Sequence, residues 1–122
     1  MNPVSKFHLS FNLGYPNDYD RIHKSTGSAL MVHGNCVSIG CYAMTDAGIE
    51  EIYALADGAF RNGLYLIKVH IFPFRMIDEN MKKYSKESFI DFWINLKEGY
   101  DFFENKHVLP KIKVKNKKYI IK

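Results

Sequence analysis

Residues suited to nucleophilic chemistry are concentrated in one stretch, MVHGNCVSIGCYAMTD, which runs from Met31 to Asp46. It holds His33 and both cysteines of the chain, Cys36 and Cys41. A cysteine becomes a nucleophile when a base takes its proton and nearby N–H groups or positive charge stabilise the thiolate. The stretch therefore contains the residue types of a cysteine nucleophile with a histidine base.

The surroundings of Cys41 favour this interpretation. Cys41 follows Gly40 and lies shortly before a helix for which Thr45 is the predicted N-cap. Unpaired backbone N–H groups at the start of a helix stabilise a thiolate or an oxyanion, and Gly40 has no Cβ to block a substrate carbonyl. His33 ends a predicted strand, and a turn through the next residues would bring its ring towards the sulfur.

The same residues have simpler interpretations. A cysteine in an apolar segment is most often an inert small hydrophobic residue, and a histidine at a strand end is most often structural. His33, Cys36 and Cys41 could also bind zinc, although no fourth ligand is evident and the spacing matches no common motif. A Cys36–Cys41 disulfide would remove the free thiol. On residue types alone these alternatives stay open.

The apolar pattern predicts the elements that position these residues. Two amphipathic helices follow from three- and four-residue spacing, and the strands from short β-forming runs. The order predicts a single mixed α+β domain over residues 1–122. The predicted elements are strands at Phe7 to Leu13, Ala29 to His33 and Leu64 to Phe72, a loop at Gly14 to Ser28, helices from Thr45 to Asn62 and from about Lys86 to Glu104, and a hairpin at Ile112 to Ile121.

Composition restricts the class of protein. The chain has 122 residues, of which 47% are hydrophobic and 15% aromatic, so a core is expected and disorder is not. No apolar run approaches the roughly 20 residues of a membrane-spanning helix. The opening MNPVSKFHLS lacks the apolar centre of an export signal.

Much of the net charge of +4 comes from the last dozen residues. We expect a solvated lysine edge there, with an anionic polymer such as a cell wall as the alternative ligand. Since the remainder is close to neutral, no broad nucleic-acid surface is predicted. The lysines concerned are Lys111, Lys113, Lys115, Lys117, Lys118 and Lys122.

Three blocks of the sequence resemble the L,D-transpeptidase catalytic domain of peptidoglycan enzymes (the YkuD type). They are HLSFNLGYPNDYD, MVHGNCVSIGCYAMTDAGIEEIYALADGAFRNG and VHIFPFRM, and together they run through nearly all of the chain. The resemblance is greatest to the murein L,D-transpeptidase/amidase branch, in which a His-Gly pair and a Ser-x-Gly-Cys motif lie close together. It implies a mostly β sheet or barrel with two amphipathic helices. This chain would hold part of that fold, since the family has further strands before the HLSFN segment.

The resemblance also implies roles for individual residues. Cys41 would attack a peptide carbonyl, His33 would be the base, and the Gly34 carbonyl would orient the imidazole. The oxyanion would lie on the N–H groups of Gly40, Cys41 and Tyr42, and Ser38 belongs to the same substrate-binding motif. Neither a metal nor an organic cofactor is implied.

The chain departs from the common family motif in two ways. Ile39 stands where that motif has a second histidine, and no arginine follows Tyr42-Ala43 to meet a substrate carboxylate. The remaining candidates for that contact are Arg21, Lys24 and Arg75.

The implied function is cysteine-dependent acyl transfer on peptidoglycan stem peptides, through a thioester on Cys41. Two alternatives are a hydrolase that releases a wall-linked peptide or protein, as a carboxypeptidase or an amidase, and an inactive remnant that only binds the wall. The resemblance implies stem peptides as partners, with a wall-attached protein as a further one, and a periplasmic or cell-envelope location.

Overall fold

The computed structural model describes residues 1–36, 38 and 40–122. In these residues helices and strands are mixed along the chain, and the strands form two small sheets. This confirms the predicted α+β class. None of the described helices is long and apolar enough to cross a membrane. The elements are β1 (Asn2–Ser5), β2 (His8–Asn12), α1 (Asp18–Ile22), β3 (Met31–His33), β4 (Tyr42–Ala43), α2 (Thr45–Arg61), α3 (Asp78–Lys83), α4 (Ile90–Lys106), β5 (Ile112–Lys115) and β6 (Lys118–Ile121).

The chain divides into two compact units. The first consists of Met1–Asn17 and Ser25–Val69, and the second of Asp18–Lys24 and His70–Lys122. The first unit holds β1 to β4 and α2, and the second holds the other helices and the β5–β6 hairpin. That residues 1–122 form a single domain therefore stays a prediction.

The sheet of the first unit has the strand order β1-β2-β3-β4. The first two pairings are antiparallel, whereas β3 and β4 pair in parallel. Helix α2 packs on β2 and β3, and the fully buried Ile49 on α2 lies with Val32 and Ala56 in the core of this unit. Neither β1 nor β4 is predicted from the sequence, because both are short and lack a clear alternation.

Helix α2 begins and ends close to the predicted residues. Although Met44 occupies the cap position, its side chain makes no capping bond. The hydroxyl of Thr45 accepts the N–H of Gly48 at 3.3 Å, which is the bond an N-cap side chain makes. The helix is followed by Asn62 and by Gly63, whose φ of +92° suits glycine at a helix end.

In the second unit, helix α4 holds the β5–β6 hairpin through a buried amide. The Asn95 side chain accepts the backbone N–H of Tyr119 at 2.8 Å and donates to its carbonyl at 2.9 Å. Asn95 therefore bonds β6 as a neighbouring strand would. One turn further along α4, a Cβ added to Gly99 would lie 3.3 Å from Ile121, so glycine permits the close approach of helix and hairpin.

The second predicted amphipathic helix corresponds to α4, which begins at Ile90 rather than near Lys86. Phe89, which the apolar spacing places on the buried side of this helix, precedes the helix and is 64% exposed. Trp93 is half-buried and meets Phe74 edge-on at 5.2 Å. On the same helix the Asp101 carboxylate, 2.7 Å from Nζ of Lys97, raises the pKa of that lysine by its hydrogen bond.

The predicted loop at residues 14–28 is wrong in part, because it contains helix α1. Aromatic packing explains why so short a helix forms. The ring of Tyr19 stacks on Phe92 at 4.9 Å and on Tyr119 at 4.5 Å. Burial in this stack raises the pKa of Tyr19.

The predicted strand at residues 64–72 is not formed. In the described residues the two sheets consist of β1 to β6, so this segment has no ladder partner. A β-forming sequence becomes a strand only when a neighbour supplies hydrogen bonds and packing, and that is the reason for the difference. Phe72, at the end of the segment, is half-buried and meets the ring of Tyr100 at 5.4 Å. Most of the other apolar side chains are exposed: Leu64, Tyr65, Leu66, Ile67, Val69 and Ile71.

The terminal hairpin is confirmed. β5 and β6 pair in register from Ile112 opposite Ile121 to Lys115 opposite Lys118. The two connecting residues, Asn116 and Lys117, have φ values of 51° and 59°. Two consecutive residues with positive φ are typical of a two-residue type I′ turn.

We expect Asn95→Ala to lower the free energy of unfolding by about 1–3 kcal/mol, because it removes both bonds to the backbone of Tyr119. Urea denaturation followed by circular dichroism measures the change. Asn105→Ala is the matched control, since Asn105 is exposed on the same helix, and it should change stability by less than about 0.5 kcal/mol. Equal effects of the two variants would contradict this account of how α4 holds the hairpin.

Candidate active site

His33 is the most constrained of the predicted site residues. It ends β3, and its relative exposure is 1%. Its Nδ1 is hydrogen-bonded to the carbonyl oxygen of Gly34. Because a carbonyl oxygen only accepts, Nδ1 must carry the proton, and in the neutral ring Nε2 is then the nitrogen that can take up another.

The space around position 34 is too small for any side chain, so only glycine fits there. An added Cβ would lie 2.5 Å from the carbonyl oxygen of Phe7, 2.7 Å from Oδ1 of Asp46 and 3.1 Å from Ile49. The first of these atoms is backbone and the last belongs to a fully buried side chain. A side chain at position 34 would therefore move the peptide whose carbonyl holds the His33 ring.

Phe7 covers the imidazole and is the site residue that sequence analysis missed. Its ring lies 4.4 Å from the ring of His33, centroid to centroid, at an interplanar angle of 32°. Phe7 is in the turn between β1 and β2, and the next residue, His8, is 2.7 Å from Glu50 on α2. The turn is thus anchored on the helix while it packs on the candidate base. Because β1 is not predicted, no signal in the sequence places this turn beside position 33.

Cys41 immediately precedes β4, which is the strand that pairs with β3 and thus with His33. The parallel register sets Val32 opposite Tyr42 and His33 opposite Ala43. Cys41 is a free, half-buried thiol. The structure therefore places His33 at the end of β3 and Cys41 directly before β4, the neighbouring strand of the same sheet.

Backbone bonds continue this arrangement beyond the strands. The N–H of Met44 donates to the carbonyl of His33 at 2.8 Å, and the N–H of Thr45 donates to that of Asn35 at 2.9 Å. The predicted turn after His33 is present, with Asn35 at a φ of 65°. In addition, the Asp46 carboxylate accepts the N–H of Asn35 at 2.8 Å. The residues that follow the candidate base and those that follow the candidate nucleophile are consequently tied together.

At the start of helix α2, the N–H groups of Met44 and Thr45 are paired, whereas the sequence predicts unpaired groups there. β4 lies between Cys41 and α2, which begins at Thr45, and both of these N–H groups donate to backbone carbonyls. The thiol lies 3.7 Å from the carbonyl oxygen of Ala29, which is its hydrogen-bond acceptor. In the described part of the chain the sulfur therefore points to Ala29 rather than forming a hydrogen bond with the His33 ring.

The remaining motif residues shape the loop before β4. Ser38 is exposed, and its hydroxyl donates to the carbonyl of Cys41 at 2.8 Å. Gly40 has a φ of +100°, which favours glycine, and nothing lies within 4 Å of an added Cβ. Tyr42 is half-buried in β4. The substitution at Ile39 lies outside the described residues.

The alternative chemistry for this stretch was a metal site or a disulfide. The described residues contain no group of three His, Cys, Asp or Glu side chains that could hold a metal ion. Cys36 and Cys41 are separate free thiols, and Cys36 is exposed. The N–H of Cys36 donates to the side-chain oxygen of Asn35 at 2.7 Å, which fixes the backbone there without involving the sulfur.

The candidate cations for a substrate carboxylate, Arg21, Lys24 and Arg75, all belong to the second unit. Arg21 pairs with Asp18 at 3.1 Å on the exposed surface of α1. A role for any of these residues in substrate binding stays a prediction.

Comparison with known proteins tests the resemblance to the L,D-transpeptidase family. No family model matches the chain. Over 121 residues, 99% of its length, the chain is 47% identical to a protein of Escherichia coli strain K12 named "Putative L,D-transpeptidase YafK", and equally to the protein of that name from Escherichia coli O157:H7. The chain spans about half (49%) of the length of these curated relatives.

The matched region extends over 99% of the chain, so it includes the positions of the three sequence blocks, of the His33-Gly34 pair and of Cys41. The match thus includes the candidate site as well as the elements that position it. The chain is therefore similar over essentially its entire length to half of a protein named as an L,D-transpeptidase, which confirms its resemblance to that family.

Proposed function

We propose that this chain carries the nucleophile and the base of a cysteine acyltransferase of the L,D-transpeptidase type, which acts on peptidoglycan stem peptides. The observation that carries the proposal is the buried His33, whose Nδ1 donates to the Gly34 carbonyl and whose strand pairs with the one that follows Cys41. The similarity to a protein named as an L,D-transpeptidase supports the reaction class.

Proton transfer is the first step of the proposed reaction. Nε2 of His33 takes the proton of the Cys41 thiol, and the imidazolium is stabilised by its bond from Nδ1 to Gly34. In the structure the thiol is directed to Ala29. The proposed transfer therefore requires the thiol to turn from Ala29 towards the His33 ring.

Acyl transfer follows in two stages. The thiolate attacks the carbonyl carbon of the L-centre residue in the stem peptide, and the C–N bond to the D-residue breaks as His33 returns the proton to the leaving amine. This leaves a thioester on Cys41. An acceptor amine then attacks the thioester as His33 takes its proton, which yields a cross-link or an attached protein and regenerates the thiol.

Stabilisation of the oxyanion is assigned to the backbone N–H groups of Gly40, Cys41 and Tyr42. The open space beside Gly40 supports this placement, since no atom lies within 4 Å of the position of a Cβ. The bond from Ser38 to the Cys41 carbonyl also supports it, because it fixes the peptide that follows the nucleophile. Since the substrate belongs to the wall, we place the reaction in the cell envelope.

Water in place of the amine would make the protein a hydrolase. The direction of the thiol towards Ala29 favours a second alternative, an inactive remnant that binds wall peptides without turnover. The three functions differ in their products, so one assay separates them.

The deciding experiment is incubation of the chain with defined muropeptides and mass analysis of the products. We expect a cross-linked or amine-exchanged product that is lost in Cys41→Ala, and a covalent adduct of the donor peptide on Cys41 when no acceptor is present. Cys36→Ala should leave turnover unchanged within about twofold. Release of D-residue without any transfer product would identify a hydrolase, and binding without adduct or product would contradict the enzymatic proposal.

Thiol labelling tests the proposed base without a substrate. An ordinary cysteine is only a few per cent thiolate at pH 7, so activation by His33 should make alkylation of Cys41 by iodoacetamide at least about tenfold faster than that of Cys36. The comparison is internal, because Cys36 is the more exposed thiol. His33→Gln should bring Cys41 down to the rate of Cys36. If His33→Gln has no effect on the labelling rate, His33 is not the base.

Gly34→Ala tests how the imidazole is held. The added methyl cannot fit against the Phe7 carbonyl and Ile49 without displacing the Gly34 peptide, so we expect a loss of about 1–3 kcal/mol in unfolding free energy, as for other overpacked sites. Nitrogen NMR of the His33 ring should also show that Nδ1 no longer holds the proton preferentially. Gly14→Ala is the control, because nothing lies within 4 Å of its Cβ. A stable Gly34→Ala variant with an unaltered His33 ring would contradict the assigned role.

A further inference from the structure

The β5–β6 hairpin has two chemically different faces. Val114 lies opposite Tyr119 and Ile112 opposite Ile121, so these apolar residues share one face of the hairpin. That face lies towards α4, where Asn95 bonds Tyr119 and Gly99 approaches Ile121. The residues between them in sequence therefore point away from the helix, because side chains alternate along a strand.

The outward face consists almost entirely of lysine. Lys113 lies opposite Ile120 and Lys115 opposite Lys118, and the backbones of Lys111 and Lys122 exchange two hydrogen bonds at 2.8 and 3.0 Å. All of these side chains are exposed, including Ile120 at 39% in the middle of the face. We call this surface the lysine face; it consists of Lys111, Lys113, Lys115, Lys118, Lys122 and Ile120.

The lysine face belongs to the most basic segment of the chain. Residues 105–122 contain seven lysines and no acidic residue, whereas the whole chain has a net charge of +4, so residues 1–104 carry −3. Lys97 on α4, which is not part of the lysine face, is paired with Asp78 and Asp101. Like charges directly opposite each other destabilise a strand pair. The hairpin has two such pairs, Lys115 with Lys118 and Lys111 with Lys122, so binding of an external anion would stabilise it.

The shape of the lysine face limits what that anion can be. Lysines two residues apart on a strand are about 7 Å apart, and the two strands set further ones beside them, which forms a flat array rather than a groove. No aromatic side chain lies on this face, since Tyr119 is on the other one. Single-stranded nucleic acids are held largely by stacking on aromatic rings, so this surface does not suit them.

A flat array of flexible ammonium groups around one exposed aliphatic side chain suits an extended plane of phosphates. Long lysine stems keep their charge at the headgroups while their methylenes and an aliphatic neighbour contact the boundary of the acyl region. We propose that the lysine face docks this chain on the surface of an anionic phospholipid bilayer. The inference rests on the charge and topology of the hairpin and is independent of the acyl-transfer proposal.

The hairpin is held rigidly enough to present such a surface. Its type I′ turn fixes the register, and the amide of Asn95 ties β6 to α4 at two points. The ammonium groups therefore arrive at a membrane already arranged on one side of the hairpin. Less conformational entropy is lost on binding than for a disordered basic tail of the same charge.

Vesicle flotation of the full chain tests this proposal. The vesicles are phosphatidylcholine alone, or phosphatidylcholine mixed with phosphatidylglycerol. We expect binding to the mixed vesicles only, and a decrease in binding when salt is raised. Each lysine near such a surface contributes roughly fivefold in affinity, so the triple variant K113Q/K115Q/K118Q should lower the partition coefficient roughly a hundredfold.

The matched control removes the same charge elsewhere in the second unit. K82Q/K83Q/K86Q alters exposed lysines on and after α3 and should lower binding by less than about threefold, since those lysines are not on the lysine face. Circular dichroism verifies that each variant is folded. Equal losses in the two variants, no binding to the mixed vesicles, or stronger binding to heparin or to isolated peptidoglycan than to the mixed vesicles would overturn the proposal.

Discussion

The arrangement of the candidate site depends on one close contact, the packing of Gly34 against the β1–β2 turn and helix α2. Because no side chain is present at position 34, its peptide lies against the Phe7 carbonyl and Ile49, and its own carbonyl meets Nδ1 of His33. The same packing brings the Phe7 ring over the imidazole. The tautomer of His33 therefore depends on the absence of a side chain at Gly34.

This condition explains why a histidine can be almost wholly buried at a proposed reaction centre. Burial without a partner would penalise the ring, but one nitrogen is satisfied by Gly34, and an aromatic face covers the ring. The thiol is held less firmly, since its contact is a 3.7 Å bond to Ala29. The candidate base is thus fixed by two neighbours, whereas the thiol makes one long hydrogen bond.

The sequence predicts those parts of the structure that local patterns determine. Helix α2, with Thr45 at its start and Gly63 after its end, and the hairpin around Asn116 are found as predicted, because caps and turn residues act within a few positions. The strand at residues 64–72 and the site contact of Phe7 depend on distant partners. Strand formation requires a pairing segment, and the position of Phe7 requires the unpredicted pairing of β1 with β2. The periodicity of a single sequence reveals neither which segment pairs with which nor that β1 pairs with β2.

The segment at residues 64–72 has a practical consequence for anyone who handles this protein. A β-forming run that has exposed side chains such as Tyr65 and Leu66, and no strand partner among the described residues, is a segment with which another polypeptide can pair. Lys68 is its one permanently charged residue, which provides little electrostatic protection against self-association. Self-association of the chain is therefore expected to begin at this segment. A charged substitution at Leu66 is the first change to make for solubility.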